Sequence, residues 1–124
     1  MHRCLLVDDS AVVRKVAARI LATIGYQVLE VESAGVAVAS TKSFYPDVVL
    51  IDWCTPGSCS IEAITGIRAL MKNRQPRVIY LITDYEELAI RRAIAAGADS
   101  YMMKPFNRLD ITEHFAKLSI RAAA

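Results

Sequence analysis

Five short apolar runs alternate with segments of helical periodicity along the whole chain, and this alternation is the strongest constraint on the fold. Residues 48–51 are continuously apolar and rich in β-branched side chains, as expected of a strand covered on both faces. The order βαβαβαβαβα predicts an α/β fold in which helices cover both faces of a parallel sheet. Strands are predicted near residues 3–8, 27–32, 47–52, 77–83 and 99–103.

The spacing of apolar residues predicts the helices between these strands, near residues 11–24, 34–44, 60–73, 84–97 and after Asn107. Gly25 is expected to supply a left-handed cap to the first helix. Asp84 is expected to begin the fourth, with Glu87 completing a capping-box-like pair and also pairing with Arg91. The residues expected to face the core are Val12, Val13, Val16, Ala17, Ile20, Leu21 and Ile24 in the first helix, and Leu109, Phe115 and Leu118 in the fifth.

Length and composition favour one ordinary domain covering residues 1–124. Hydrophobic residues make up 54% of the 124 positions, yet no apolar stretch reaches the roughly 20 residues of a membrane span, and no signal peptide is recognisable. The expected location is therefore the cytoplasm. A net charge of +2 without a basic tract argues against direct nucleic-acid binding. Three cysteines fit a reducing compartment; a metal–thiolate site at Cys54 and Cys59 is a minor alternative, since no zinc ligand set is complete.

Polar side chains follow the apolar runs at the points where the strands are predicted to end. Asp8 and Asp9 close the first run, and one further residue closes each of the third, fourth and fifth runs, namely Asp52, Thr83 and Lys104. Ligands of open parallel sheets bind outside the carboxyl ends of the strands. The sequence therefore predicts that these five residues share one site.

These residue types suit phosphoryl chemistry. A carboxylate such as that of Asp52 can attack phosphorus and form an acyl phosphate. Neighbouring carboxylates raise each other's pKa, and a bound cation such as Mg²⁺, which prefers oxygen ligands, reverses that effect. Thr83 can donate to a phosphoryl oxygen, and Lys104 can neutralise developing charge. The bond from Lys104 to Pro105 is of the kind that adopts the cis form at little cost. Taken singly, each residue also has an ordinary structural explanation, as a turn, a cap or a solvated side chain.

The combination resembles the receiver domain of two-component response regulators over about residues 3–121. The resemblance rests on five short motifs in order, Asp8-Asp9, Asp52 with Trp53-Cys54-Thr55-Pro56-Gly57, Leu81-Ile82-Thr83, Ala96-Gly97-Ala98-Asp99 and Lys104-Pro105-Phe106. It implies a flavodoxin-like, doubly wound fold of five parallel strands in the order 2-1-3-4-5 with five helices.

The resemblance also implies roles for individual residues. Asp52 would accept a phosphoryl group from a histidine kinase or a phosphotransfer protein. Mg²⁺ would be ligated by Asp9, Asp52 and the backbone carbonyl of Cys54, with Asp8 acting mostly through water. Thr83 and Lys104 would contact the phosphoryl group. A switch formed by Thr83 and Tyr101 would then change the surface of the fourth helix, fifth strand and fifth helix. Hydrolysis of the acyl phosphate would be tuned by Cys54 and Tyr85.

The sequence departs from the family pattern at two places. Cys59-Ser60 stands where many members have Asp-Gly, and Asp84 stands where a small residue is usual. Bulky Tyr85 is expected to shield the phosphoryl group from water and slow its loss.

No effector domain is expected in this chain, so the expected output is contact with a downstream protein or a second copy in a homodimer, unless the chain is part of a longer protein. The function expected is a stoichiometric switch rather than a conventional enzyme. Two other functions stay open. One is a phosphorylation-independent interaction module. The other is a phosphatase with Asp52 as nucleophile, which would need a general acid where Cys54 stands.

Overall fold

The computed structural model describes residues 2–53 and 60–118, in which strands and helices alternate strictly. The strands are β1 (His2–Val7), β2 (Tyr26–Val31), β3 (Val48–Asp52), β4 (Arg77–Ile82) and β5 (Ser100–Met103). The helices are α1 (Ala11–Thr23), α2 (Ala34–Phe44), α3 (Ser60–Leu70), α4 (Glu87–Ala96) and α5 (Arg108–Lys117). The predicted strands are confirmed to within one residue at each end, and α3 ends at Leu70, before the predicted boundary at residue 73.

All five strands are parallel and lie in the order β2-β1-β3-β4-β5, which confirms the predicted doubly wound fold. The chain adds β2 on one side of β1 and β3 on the other, so the direction of strand addition reverses at the β1–β3 pair. A crevice opens at the carboxyl ends of strands where such a reversal occurs.

Each strand contributes alternate side chains to two hydrophobic layers, because successive side chains of a strand point to opposite faces. Leu5, Val49 and Val78 belong to the layer beneath α2, α3 and α4. Cys4, Val48 and Ile79 belong to the layer beneath α1 and α5. The sheet is thus covered on both faces, which explains why β3 is apolar without interruption and fully buried.

The predicted helix ends are partly confirmed. Gly25 has φ 91°, the left-handed conformation expected after α1. The N-cap of α1 is Ser10, whose hydroxyl accepts from the Val13 N–H, rather than Asp8 or Asp9. The predicted start of α4 at Asp84 is wrong. The helix begins at Glu87 because the carboxylate of Glu86 accepts from the N–H groups of the first turn, at 3.1 Å each.

Three predicted core positions are wrong, because their side chains are more than half exposed: Val12 (74%), Val16 (54%) and Leu109 (62%). The deeper positions of the same helices are confirmed, with Ala17, Leu21, Ile24 and Phe115 buried in the layer beneath α1 and α5. The Glu87–Arg91 pair forms at 3.2 Å. Within the two described ranges, no helix has both the length and the apolar character that crossing a bilayer requires.

Candidate functional site

Three carboxylates meet at the carboxyl edge of the sheet, as predicted. Asp8 and Asp9 directly follow β1, and Asp52 is the last residue of β3, which pairs with β1 in register from Cys4 to Val7. One oxygen of each carboxylate lies within 4.8 Å of the other two. Asp8 and Asp52 are buried, whereas Asp9 is exposed. Two acids of the cluster are therefore buried, and the third lies where the cluster meets solvent.

Lys104 supplies the positive charge of this cluster. Its ammonium lies 2.9 Å from Asp8 Oδ2, to which it donates a hydrogen bond, and 2.7 Å from Asp52 Oδ1. The Lys104 side chain is only 11% exposed, and the peptide bond to Pro105 is cis, as the sequence suggested. One ammonium thus bridges the two buried carboxylates.

The charges in the cluster are only partly balanced. Burial raises the pKa of Asp52, and the nearby Asp8 and Asp9 raise it further, although the Lys104 ammonium opposes the shift. The pKa of Lys104 is also raised; burial acts to lower it, but the hydrogen bonds and charges of Asp52 and Asp8 outweigh that effect. Three acids facing one ammonium leave an excess of negative charge.

The donor set fits a divalent cation. Asp52 Oδ1 is buried, and among the described residues its close polar contact is the Lys104 ammonium at 2.7 Å, so it keeps capacity to ligate a cation. Carboxylate oxygens are the ligands that Mg²⁺ prefers, and it usually takes one or two of them together with water. Asp8, Asp9 and Asp52 could hold such an ion. Cys54, the other expected ligand, lies outside the described residues, as does Cys59.

The remaining predicted site residues lie around the same edge. Thr83 directly follows β4, is exposed, and lines a groove together with Lys104. Tyr101 lies in β5, partly buried against the layer beneath α2, α3 and α4. Tyr85 is 64% exposed, and its ring meets that of Tyr101 edge to face with centroids 6.1 Å apart. Tyr85, which is expected to tune hydrolysis, is therefore in contact with Tyr101, which is expected to act in the switch.

The groove beside the site was not foreseen from the sequence. Its walls are almost entirely apolar, and it is lined by Val12, Val13, Val16, Ala17, Thr83, Lys104, Pro105 and Phe106. The valines that the helical pattern assigned to the core form one wall, and the turn after β5 forms the other. The only available signal was that α1 carries more apolar residues than a single core-facing stripe needs.

Comparisons with known proteins identify the family to which the chain is similar. A family model described as "Response regulator receiver domain" matches residues 4–116. The phosphate regulon transcriptional regulatory protein PhoB of Escherichia coli is 33% identical over 106 residues, which cover 86% of this chain and 46% of PhoB. The chain thus spans less than half the length of that relative. The chemotaxis protein CheY of Bacillus subtilis is 32% identical over 117 residues, covering 94% of this chain and 96% of CheY.

A solved structure shows the same likeness. The receiver domain of a Pseudomonas aeruginosa sensor histidine kinase superposes with a TM-score of 0.84 at 28% identity, covering 94% of this chain and 95% of that one. That structure was solved with a magnesium ion coordinated in its active-site cleft.

Proposed function

Because the chain belongs to the response regulator receiver domain family, we propose that Asp52 accepts a phosphoryl group in the presence of Mg²⁺ and so switches a protein-binding surface. The observation that carries this proposal is the meeting of Asp8, Asp9, Asp52 and Lys104 at one sheet edge, with an ammonium 2.7 Å from the proposed nucleophile.

In the proposed transfer, a carboxylate oxygen of Asp52 forms a bond to phosphorus while the bond from phosphorus to the donor breaks. The donor leaves with the electron pair of that bond, and Asp52 becomes a mixed anhydride of carboxylic and phosphoric acid. Lys104 lies close enough to neutralise charge on the transferring oxygens. Mg²⁺ held by Asp8, Asp9 and Asp52 would add positive charge against the same oxygens. Each molecule would carry one phosphoryl group at a time, so it would act as a stoichiometric switch.

The proposed donor is a histidine kinase or a histidine phosphotransfer protein. The apolar groove of α1 reaches Lys104 and Thr83, so a protein seated there would lie beside Asp52. The proposed output surface is formed by α4, β5 and α5, where a downstream protein or a second copy would bind. Tyr101 of β5 belongs to it, Tyr85 borders it from the loop before α4, and exposed Leu88 and Met103 extend it.

Phosphorylation by a small donor tests the proposal directly. We expect that Mg²⁺ with acetyl phosphate increases the intact mass of the wild-type protein by one phosphoryl group, and that Asp52→Asn abolishes this increase. Asp84→Asn is the matched control, because it removes an exposed carboxylate near the same edge and should leave the increase intact. An unchanged wild-type mass would favour a phosphorylation-independent module. An increase that persists in Asp52→Asn would place the acceptor elsewhere, and repeated turnover of a phosphomonoester would indicate a phosphatase.

Tyr85 gives a second prediction, on the lifetime of the acyl phosphate. Its ring, placed against Tyr101, stands in the loop that follows Thr83, where it can restrict the approach of water. We expect Tyr85→Ala to shorten the lifetime several-fold, as measured by loss of the added mass after acetyl phosphate is removed. Leu88→Ala, at an exposed position in the first turn of α4, should leave the lifetime unchanged. An equal or longer lifetime in Tyr85→Ala would contradict the shielding role.

A further inference from the structure

Arg14 reaches back from α1 to the loop that carries the acids. Its Nη1 donates to the backbone carbonyl of Asp8 at 2.7 Å. The Arg14 side chain is only 15% exposed. A charge-assisted hydrogen bond of this length is stronger than one between neutral groups.

Glu30 on β2 holds Arg14 in place. Arg14 Nε lies 3.5 Å from Glu30 Oε1, which is buried and accepts no hydrogen bond within the described part of the chain. Lys15 contacts the other oxygen, Oε2, at 3.1 Å, but its side chain is 71% exposed. The exposed Lys15–Glu30 pair contributes little to stability. The buried oxygen Oε1 therefore depends on Arg14 for its opposite charge.

The carbonyl that Arg14 binds belongs to the peptide linking Asp8 to Asp9. The other polar groups of Asp8 are held by different partners. Its N–H donates to Val31, its Oδ1 accepts from the Ser10 N–H, and its Oδ2 accepts from Lys104. The hydrogen bond from Arg14 therefore fixes the carbonyl of Asp8, its remaining polar group. That carbonyl belongs to the peptide that leads into Asp9, whose carboxylate is exposed.

We infer that Arg14, held by Glu30, is a positioning residue that orients the Asp8–Asp9 peptide so that the Asp9 carboxylate points into the cation site. This inference rests on the proposed function, since it concerns the same Mg²⁺ site. Residues that orient metal ligands typically change metal affinity 10- to 100-fold when removed. Because Asp9 is one of three ligands, we expect the lower end of that range.

The sign of the effect separates positioning from simple electrostatics. Arg14 carries a positive charge close to a cation site, so removing that charge should by itself tighten Mg²⁺ binding. Loss of positioning should weaken it. A weaker affinity in Arg14→Met therefore cannot arise from the charge alone.

Mg²⁺ titration followed by tryptophan fluorescence tests the inference without acetyl phosphate. Trp53 is the only tryptophan and directly follows Asp52, so it is a local reporter. We expect about tenfold weaker Mg²⁺ binding in Arg14→Met. Lys15→Met, which removes the other partner of Glu30, and Arg19→Met, an exposed arginine of the same helix, should bind Mg²⁺ as the wild type does. Glu30→Gln, which leaves Arg14 without its charged partner, should show a smaller loss in the same direction. Because removing a negative charge also weakens cation binding by itself, the sign of the effect is decisive only for Arg14→Met.

The outcomes distinguish the positioning role of Arg14 from the proposed function of the protein. Wild-type affinity, or tighter binding, in Arg14→Met would overturn the positioning role while leaving the proposed function intact. If Arg14→Met does not fold, an unchanged affinity in Glu30→Gln would overturn it instead. A wild-type protein that neither responds to Mg²⁺ nor gains mass with acetyl phosphate would refute the proposed function itself.

Discussion

Lys104→Met is expected to lower the free energy of unfolding by about 3 kcal/mol when Mg²⁺ is absent. Lys104 is the cation that bridges Asp8 and Asp52, at 2.9 and 2.7 Å, and the two carboxylates are 1% and 4% exposed. Removing one partner of a buried ion pair leaves an uncompensated charge, at a typical cost of about 3–5 kcal/mol. The cluster opens to solvent through Asp9, which favours the lower end. Chemical denaturation in the presence of a chelator measures the change.

The pH dependence of this loss checks its cause. The pKa of Asp52 is already raised by burial, and losing the ammonium that opposes this shift raises it further. A folded state that binds the proton more readily than the unfolded state loses stability as pH rises through the folded pKa. The deficit of Lys104→Met should therefore shrink as the pH is lowered from about 7 to about 5.

Two further variants serve as controls for Lys104→Met. The double variant Lys104→Met/Asp52→Asn should recover part of the loss, because it removes one of the two unpaired charges. Lys72→Met, at an exposed position, should have little effect on stability. A deficit that grows toward acid pH, or no recovery in the double variant, would mean that unpaired charge is not its source.

The sequence predicted the site well because strand ends carry a clear signal. Uninterrupted apolar runs identify strands buried on both faces, and the polar residue that ends each run must then lie at the sheet edge. Asp8, Asp52 and Lys104 were placed together by this argument, and the structure brings them into direct contact. The strand order itself came from the resemblance to a family, since alternation alone leaves several parallel orders open.

Other features could not be predicted, for identifiable physical reasons. Helical periodicity identifies an apolar face but not which part of it is covered. Val12 and Val16 line the groove between α1 and the residues after β4 and β5, so they stay exposed. Both Asp84 and Glu86 carry a carboxylate that could cap α4. The backbone places Glu86 at the N-cap, and the sequence alone does not predict that placement. Arg14 binds a backbone carbonyl, and such a partner has no sequence signature.

At the opposite edge of the sheet, Gly97→Ala is expected to lower the free energy of unfolding by about 3 kcal/mol. Gly97 ends α4 with φ 125°, where an L side chain is strained at a cost of about 1–3 kcal/mol. A Cβ there would also lie 2.7 Å from Cγ of Arg68. Arg68 cannot easily move aside, because its guanidinium donates to the carbonyls of Gly97 and Pro76 at distances of 2.6 to 2.8 Å.

Gly66→Ala is the matched control for Gly97→Ala, because Gly66 lies within α3 and the nearest atoms to an added Cβ belong to the side chain of Val38, at 3.2 Å. Alanine is favoured over glycine in a helix by about 1 kcal/mol, which offsets this mild crowding. If the clash with Arg68 is real, Gly97→Ala combined with Arg68→Met should cost less than the sum of the two single changes. Gly97 precedes β5 whereas Lys104 follows it, so the folded fraction of Gly97→Ala should bind Mg²⁺ with wild-type affinity. Additive costs would show that the clash with Arg68 is not the source of the loss. Weakened Mg²⁺ binding would show that the two edges of the sheet are not independent.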